Sequence, residues 1–214
     1  MALTGLCLFG FVCVHLAGNL LLFVGADTFN KYSNHLTSLG PILYLVETVL
    51  AALFLIHMYT AVTVTWGNWR ARTSRYSKSV SRGDPSLMTL SSKTMIWTGL
   101  LLLVFTIVHL VTFKYGPGIS EGYVTTIDGE QMRDLYRLVV ESFSNPLYSL
   151  YYVVSMVFLG FHLRHGFWSA IQSLGGFHPR LTPVMYGLGL VAAVVLGVGF
   201  LVIPIWFYFG GSAL

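Results

Sequence analysis

Charged side chains are scarce in this chain: of 214 residues, 12 are Lys or Arg and 8 are Asp or Glu. That is 9%, against about 25% in a soluble domain. With a mean hydropathy of +0.72 the shortage excludes an ordinary soluble fold. Cysteine is nearly missing too. Cys7 and Cys13 both fall in the first apolar run, which rules out a disulfide framework, an iron–sulfur ligand set and a structural zinc centre. They read as small buried hydrophobes. Acids are almost absent from the apolar runs, where Glu47 stands alone, so an acid-lined proton relay has few stepping stones. There is no Gly-rich nucleotide fingerprint, no dicarboxylate-binding set, no lipidation motif and nothing that points to nucleic acid. A basic n-region with a cleavage site is also lacking, so the first run reads as a retained span.

What is present is length in apolar runs. Crossing the hydrocarbon core takes about 20 apolar residues, and five segments qualify: 2–24, 41–66, 95–115, 146–170 and 183–209. Pro41, Pro146 and Pro183 mark three starts, as expected in a first helical turn. Strand-type alternation is absent, so the predicted fold is an all-α, five-helix transmembrane bundle forming one domain. Arg70, Arg72, Arg75, Lys78, Arg82 and Lys93 face a single acid, Asp84, in loop 67–94. The positive-inside rule makes that loop cytoplasmic, which puts the N-terminus inside and the C-terminus outside. Loop 116–145, with five acids against two arginines, then lies outside, and short loop 171–182 with Arg180 inside. Trp66, Trp69, Trp97 and Trp168 fall at the cytoplasmic ends as interfacial anchors. The basic loop serves as a topology determinant or as a docking surface for a cytoplasmic partner.

Two stretches repeat. "MALTGLCLFGFVCVHL" and "MIWTGLLLLVFTIVHL" both run from Met through Thr-Gly-Leu to a histidine fourteen residues on, His15 and His109. His57 and His162 each follow a span-opening proline by sixteen residues, about 24 Å of helix. His35 and His178 fall in loops. The four span histidines thus define two levels, an outer pair (His15, His109) and an inner pair (His57, His162), about 10 Å apart along the bundle. Intramembrane histidines are expensive. Paired at one depth on separate helices, they are placed to grip a planar haem, one imidazole on each face of its iron. Gly18, Gly99, Gly160 and Gly166 would let the ring approach backbone. In "FHLRHGFW" the matched spacing selects His162 as ligand over His165, which is left to bond a haem propionate or a backbone carbonyl. Arg164 either pairs with a propionate or snorkels to headgroups. Glu47 is either the proton acceptor for a quinol or a polar contact to another helix.

Single histidines in "VHLAGN", "IHMYTA", "VHLVTF" and "FHLRHGFWSA", one on each of the first four of five helices, resemble the di-haem cytochrome b subunit of succinate:quinone oxidoreductase and fumarate reductase. The most specific piece is H-x-x-x-G followed by an apolar pair: His162, Gly166, Phe167 and Trp168. In that family the motif's first histidine is the ligand. The resemblance implies two b haems, the outer held by His15 and His109 and the inner by His57 and His162. It implies a membrane anchor in the cell's inner (cytoplasmic) membrane, joined on the cytoplasmic side to an FAD flavoprotein subunit and an iron–sulfur subunit. Electrons would pass between the iron–sulfur subunit and a membrane quinone, menaquinone for single-chain anchors of this kind, with Glu47 as the quinone-site acid. Loop 116–145 has no place in the family pattern.

Two rivals stand against this. The b subunit of a quinol:cytochrome c oxidoreductase carries two ligands on one helix about four turns apart, a spacing no span here has. A cofactor-free transporter or proton channel would favour broken helices and inverted repeats, whereas this repeat relates helices of the same direction. The Gly-rich fifth span "YGLGLVAAVVLGVGF" suits close helix packing as well as transport. On either view the chain is not a whole succinate-oxidising enzyme; on the resemblance it is a subunit of one.

Overall fold

The computed structural model describes residues 1–71, 90–176, 178 and 180–210, and for 90–93 the backbone alone. The described residues form seven α-helices: α1 (Ala2–Asn19), α2 (Ala26–Ser38), α3 (Pro41–Arg70), α4 (Leu90–His109), α5 (Leu135–Ser144), α6 (Pro146–Ser173) and α7 (Thr182–Tyr208). Five helical segments are long and apolar enough to cross a membrane: Ala2–Phe23, Pro41–Arg70, Thr94–Lys114, Pro146–Ser173 and Thr182–Tyr208. The chain is a multi-pass membrane protein. Arg72, Arg75, Lys78, Arg82 and Asp84 lie outside the described residues, as does the side chain of Lys93.

Helix starts follow local chemistry. Pro41 and Pro146 sit in first turns, where the missing N–H costs nothing. Asn145 caps α6 by accepting from the N–H groups of Leu147 (3.0 Å) and Tyr148 (3.1 Å). Helix α6 is the hub, packing on α1, α4, α5 and α7. Its seam with α7 is built on small residues: a Cβ added at Gly197 would lie 3.4 Å from the Gly160 Cα. Helix α3 is the outlier. None of its 30 residues is buried, and its partly covered positions, among them Leu43, Glu47, Leu50, Phe54, His57 and Ala61, form one stripe at helical spacing.

At one end of the bundle the polar segments fold into a cap. Helices α2 and α5 flank a hairpin of β1 (Val124–Ile127) and β2 (Glu130–Arg133), paired antiparallel with Ile127 opposite Glu130. The turn is Asp128-Gly129, both with positive φ (54° and 82°), the backbone that a two-residue hairpin turn demands. Inside, Leu22, Phe29, Val139 and Phe143 pack against Tyr152, Ile203 and Phe207 from the span ends. Asn30, 1% exposed, donates to Asp134 (2.9 Å) and accepts from the Tyr136 N–H (2.9 Å). Asp134 in turn caps α5 through the Arg137 N–H, 3.0 Å away. At the surface, the Tyr123 hydroxyl and the Arg137 guanidinium hold the Glu141 carboxyl below the usual carboxylate range.

The last turn of the third span is a π-helix, Leu110–Lys114, beginning directly after His109. One of its carbonyls and two in the residues that follow are taken by one side chain. Arg133 donates to Phe113 O (2.9 Å), Gly116 O (3.2 Å) and Pro117 O (2.9 Å). A Cβ at Gly116 would lie 1.9 Å from the Thr112 carbonyl oxygen. Gly116→Ala is therefore expected to cost about 1–3 kcal/mol, measured by thermal denaturation in detergent; an unchanged melting curve would contradict the clamp.

Several expectations need correcting. A hairpin exists despite the predicted absence of strands, because the Asp-Gly turn and cap packing order a short pair on the bundle's rim. His35, expected in a loop, lies in the last turn of α2. Cys7 and Cys13 are exposed on α1 rather than buried, since they point away from α6 and α7. Trp168 is no interfacial anchor: it is 4% exposed, with its ring 4.4 Å from that of Tyr186 on α7. Trp66, Trp69 and Trp97 are exposed, and the Arg70 guanidinium lies over the Trp66 ring.

Candidate functional site

The cap-side site lies between α1 and α4. Helix periodicity turns His15 and His109 toward each other, with ring centroids 5.7 Å apart and planes at 89°. Aromatic walls surround them: Phe11 and Phe200 beside His15, Phe105 and Phe113 beside His109. The Nδ1 of His109 is 3.2 Å from the Tyr152 hydroxyl, which accepts from Tyr148 at 3.0 Å. Tyr152 is 5% exposed, so this hydroxyl chain fixes the His109 ring from behind. His15 is held differently. The Asn19 amide donates to the His15 carbonyl (2.8 Å) and lies 3.4 Å from its Nε2.

The far-side site lies one level down. His57 on α3 rests against the start of α1, with its Nδ1 3.3 Å from the Thr4 hydroxyl. His162 on α6 rests in the same way against α4, with its Nδ1 3.1 Å from the Thr98 hydroxyl. The glycine after each threonine admits the ring. A Cβ at Gly5 would lie 3.3 Å from His57 Cε1, and one at Gly99 would lie 3.5 Å from His162 Cε1. Two crossings, α1 with α3 and α4 with α6, are thus built alike. On both α1 and α4 the glycine and the histidine are ten residues apart, about 15 Å of helix.

Other singled-out residues fare variously. Glu47 is not a lone buried carboxylate: it bonds the Lys114 ammonium, and both side chains are 33% exposed. Arg164 and His165 are half-buried on α6 and form no hydrogen bond or ion pair with described residues. Of the four glycines expected beside histidines only Gly99 is so placed. Gly18 accommodates Tyr32 of α2, Gly160 meets α7, and Gly166 has nothing within 4 Å of an added Cβ. Thr4, Gly5, Thr98, Tyr152 and Lys114 were not foreseen. The repeated Met-x-x-Thr-Gly and the apolar setting of Lys114 were the available signals.

No family model matches this chain, and neither does any curated protein or solved structure. Its chemistry is therefore argued from the residues alone. Among the described residues no three of His, Cys, Asp or Glu gather where they could hold one metal ion. Two imidazoles in edge-to-face contact among apolar rings suit a different donor pattern, in which a planar metal group would take one imidazole from each helix. Imidazole–metal bonds of about 2 Å on each face would set two ring centroids about 6 Å apart, and His15 and His109 stand at 5.7 Å. At the far side, cradles floored by glycine hold each ring by Nδ1, which turns Nε2 away from the hydrogen bond. The residues fit such a group at both levels.

Proposed function

We propose that this chain is the di-haem membrane cytochrome b of a succinate:quinone oxidoreductase or fumarate reductase. In this reading it is both anchor and electron-transfer subunit. The observation that carries the reading is the doubled arrangement of histidines, one facing pair at the cap side and one Thr-Gly-cradled pair at the far side. Bound there, two b haems supply one-electron transfer between an iron–sulfur partner and a membrane quinone, menaquinone by the resemblance. His15 and His109 hold the outer group between Phe11, Phe105, Phe113 and Phe200, which exclude water. His57 and His162 hold the inner one. The partly covered stripe of α3 supports this, since His57 lies on it and none of its residues is buried by protein.

With the basic loop cytoplasmic, the cap faces outward and the far-side pair lies nearest the FAD and iron–sulfur subunits. The membrane is then the cell's inner membrane. Glu47 and its partner Lys114 sit at the cap end, where a quinol would give up protons, and Glu47 is the acceptor. His165, one turn from His162, and Arg164, two residues past His162, form no hydrogen bond or ion pair with described residues and are available to propionates. The deciding experiment is a pyridine-haemochrome assay on the purified chain with a redox titration. Two b haems with separable potentials are expected; a haem-free protein with proton or solute flux in vesicles would replace this reading with a transporter. In the assembled complex, Glu47→Gln is expected to slow quinone turnover about 100-fold at unchanged haem content. Equal turnover would remove Glu47 from the proton path.

A further inference from the structure

The repeated Met-x-x-Thr-Gly has a hydrogen-bond logic that goes beyond the ligands themselves. A helical threonine commonly donates its hydroxyl proton to a carbonyl three or four residues back, as Thr106 does to Leu102. Thr4 donates to Met1 O at 2.9 Å and Thr98 to Met95 O at 3.1 Å. Each hydroxyl has one proton, and that proton is spent. What each oxygen then offers a neighbour is a lone pair. His57 Nδ1 and His162 Nδ1 meet those oxygens at 3.3 and 3.1 Å. A hydrogen bond forms only if the imidazole is the donor, so each ring carries its proton on Nδ1. In a neutral imidazole that leaves Nε2 as a bare lone pair, the state a metal ligand must have. The following glycine lies against each ring, an added Cβ standing 3.3 Å from His57 Cε1 at Gly5 and 3.5 Å from His162 Cε1 at Gly99.

From this we infer that Thr4 and Thr98 are positioning residues that set the Nδ1–H tautomer and the orientation of His57 and His162. They present both Nε2 atoms to the inner haem. The inference rests on the di-haem reading. It also explains why the repeat spans the whole stretch from methionine to histidine. The Met carbonyl takes the threonine proton, the threonine takes the imidazole proton, and the histidine fourteen residues past the methionine belongs to the other level. Accepting a hydrogen bond from Nδ1–H makes an axial imidazole more electron-rich and favours the oxidised metal.

The test uses the purified full chain with its haems as Thr4→Val, Thr98→Val, Thr4→Ser and Thr98→Ser. The same chain is also produced without haem and with isotope-labelled histidine, for NMR of the ring nitrogens. Either valine variant should raise the midpoint potential of one and the same haem and leave the other unmoved; serine should restore the original value. In the haem-free chain His57 and His162 should carry the proton on Nδ1, and valine should erode that preference. Two haems in the unsubstituted chain with neither potential moved by valine would overturn the threonine role alone. No haem in the unsubstituted chain would overturn the functional reading and this inference with it. Should the valine variants fail to accumulate, an Nε2–H tautomer at His57 and His162 in the unsubstituted haem-free chain would by itself overturn the inference.

Discussion

His57→Ala and His162→Ala are each expected to remove the same haem, and His15→Ala and His109→Ala the other, halving haem content in every case. The reason is that an axial pair works as one unit. A planar group gripped from both faces would lose its second bond when one imidazole goes. The double substitution His57→Ala with His162→Ala should therefore lose no more haem than either single one, the non-additivity expected of residues sharing one partner. Spectra separate the two levels because their surroundings differ. The cap-side pair sits among phenylalanines with Tyr152 on His109, whereas the far-side pair rests on threonine and glycine. If His57→Ala and His162→Ala removed different haems, the pairing across α3 and α6 would be wrong even with the haem count correct.

The second large effect is on stability. Asn30→Ala should destabilise the protein by about 2–4 kcal/mol, because it empties a buried position and takes hydrogen bonds from two partly buried partners at once. Asn30 is 1% exposed and joins Asp134, which caps α5, to the Tyr136 N–H in that helix's first turn. Without the amide, the Asp134 carboxylate loses a donor and the Tyr136 N–H an acceptor. Asn30→Asp should be at least as damaging, since it sets a second carboxylate against Asp134. Thermal unfolding in detergent measures the loss, and limited proteolysis should locate it to segment 116–145. A melting temperature unchanged in both variants would mean that the cap is held by apolar packing alone.

The spans were legible because about 20 apolar residues bounded by proline have few other meanings, and all five helical segments lie within a few residues of expectation. The two histidine levels were legible for a related reason: prolines set a common origin from which depth can be counted. The cradles were not. A threonine in an apolar helix reads as bonded to its own backbone, and only the neighbouring helix reveals Thr4 and Thr98 as acceptors for histidine. The cap was hidden by its polar composition, although Asp128-Gly129 between Thr126 and Gln131 is a strong hairpin signal. Glu47 was legible as a polar contact to another helix but its partner was not, because Lys114 is 67 residues away in sequence, at the end of another span.

Helix α3 bears on how the protein is put together in the bilayer. Helices associate there by packing and hydrogen bonds rather than by escape from water, and a 30-residue helix with no buried residue has little of either to offer. Helices α1, α4, α6 and α7 close on one another through Gly160, Gly197 and the facing aromatics without it. Assembly thus divides into an early stage, in which four staves stand together, and a late one, in which the fifth docks through His57 on Thr4 and Glu47 on Lys114. In such an order the last stave stays the most easily detached, and the bundle opens first along the seams of α3 with α1 and α4.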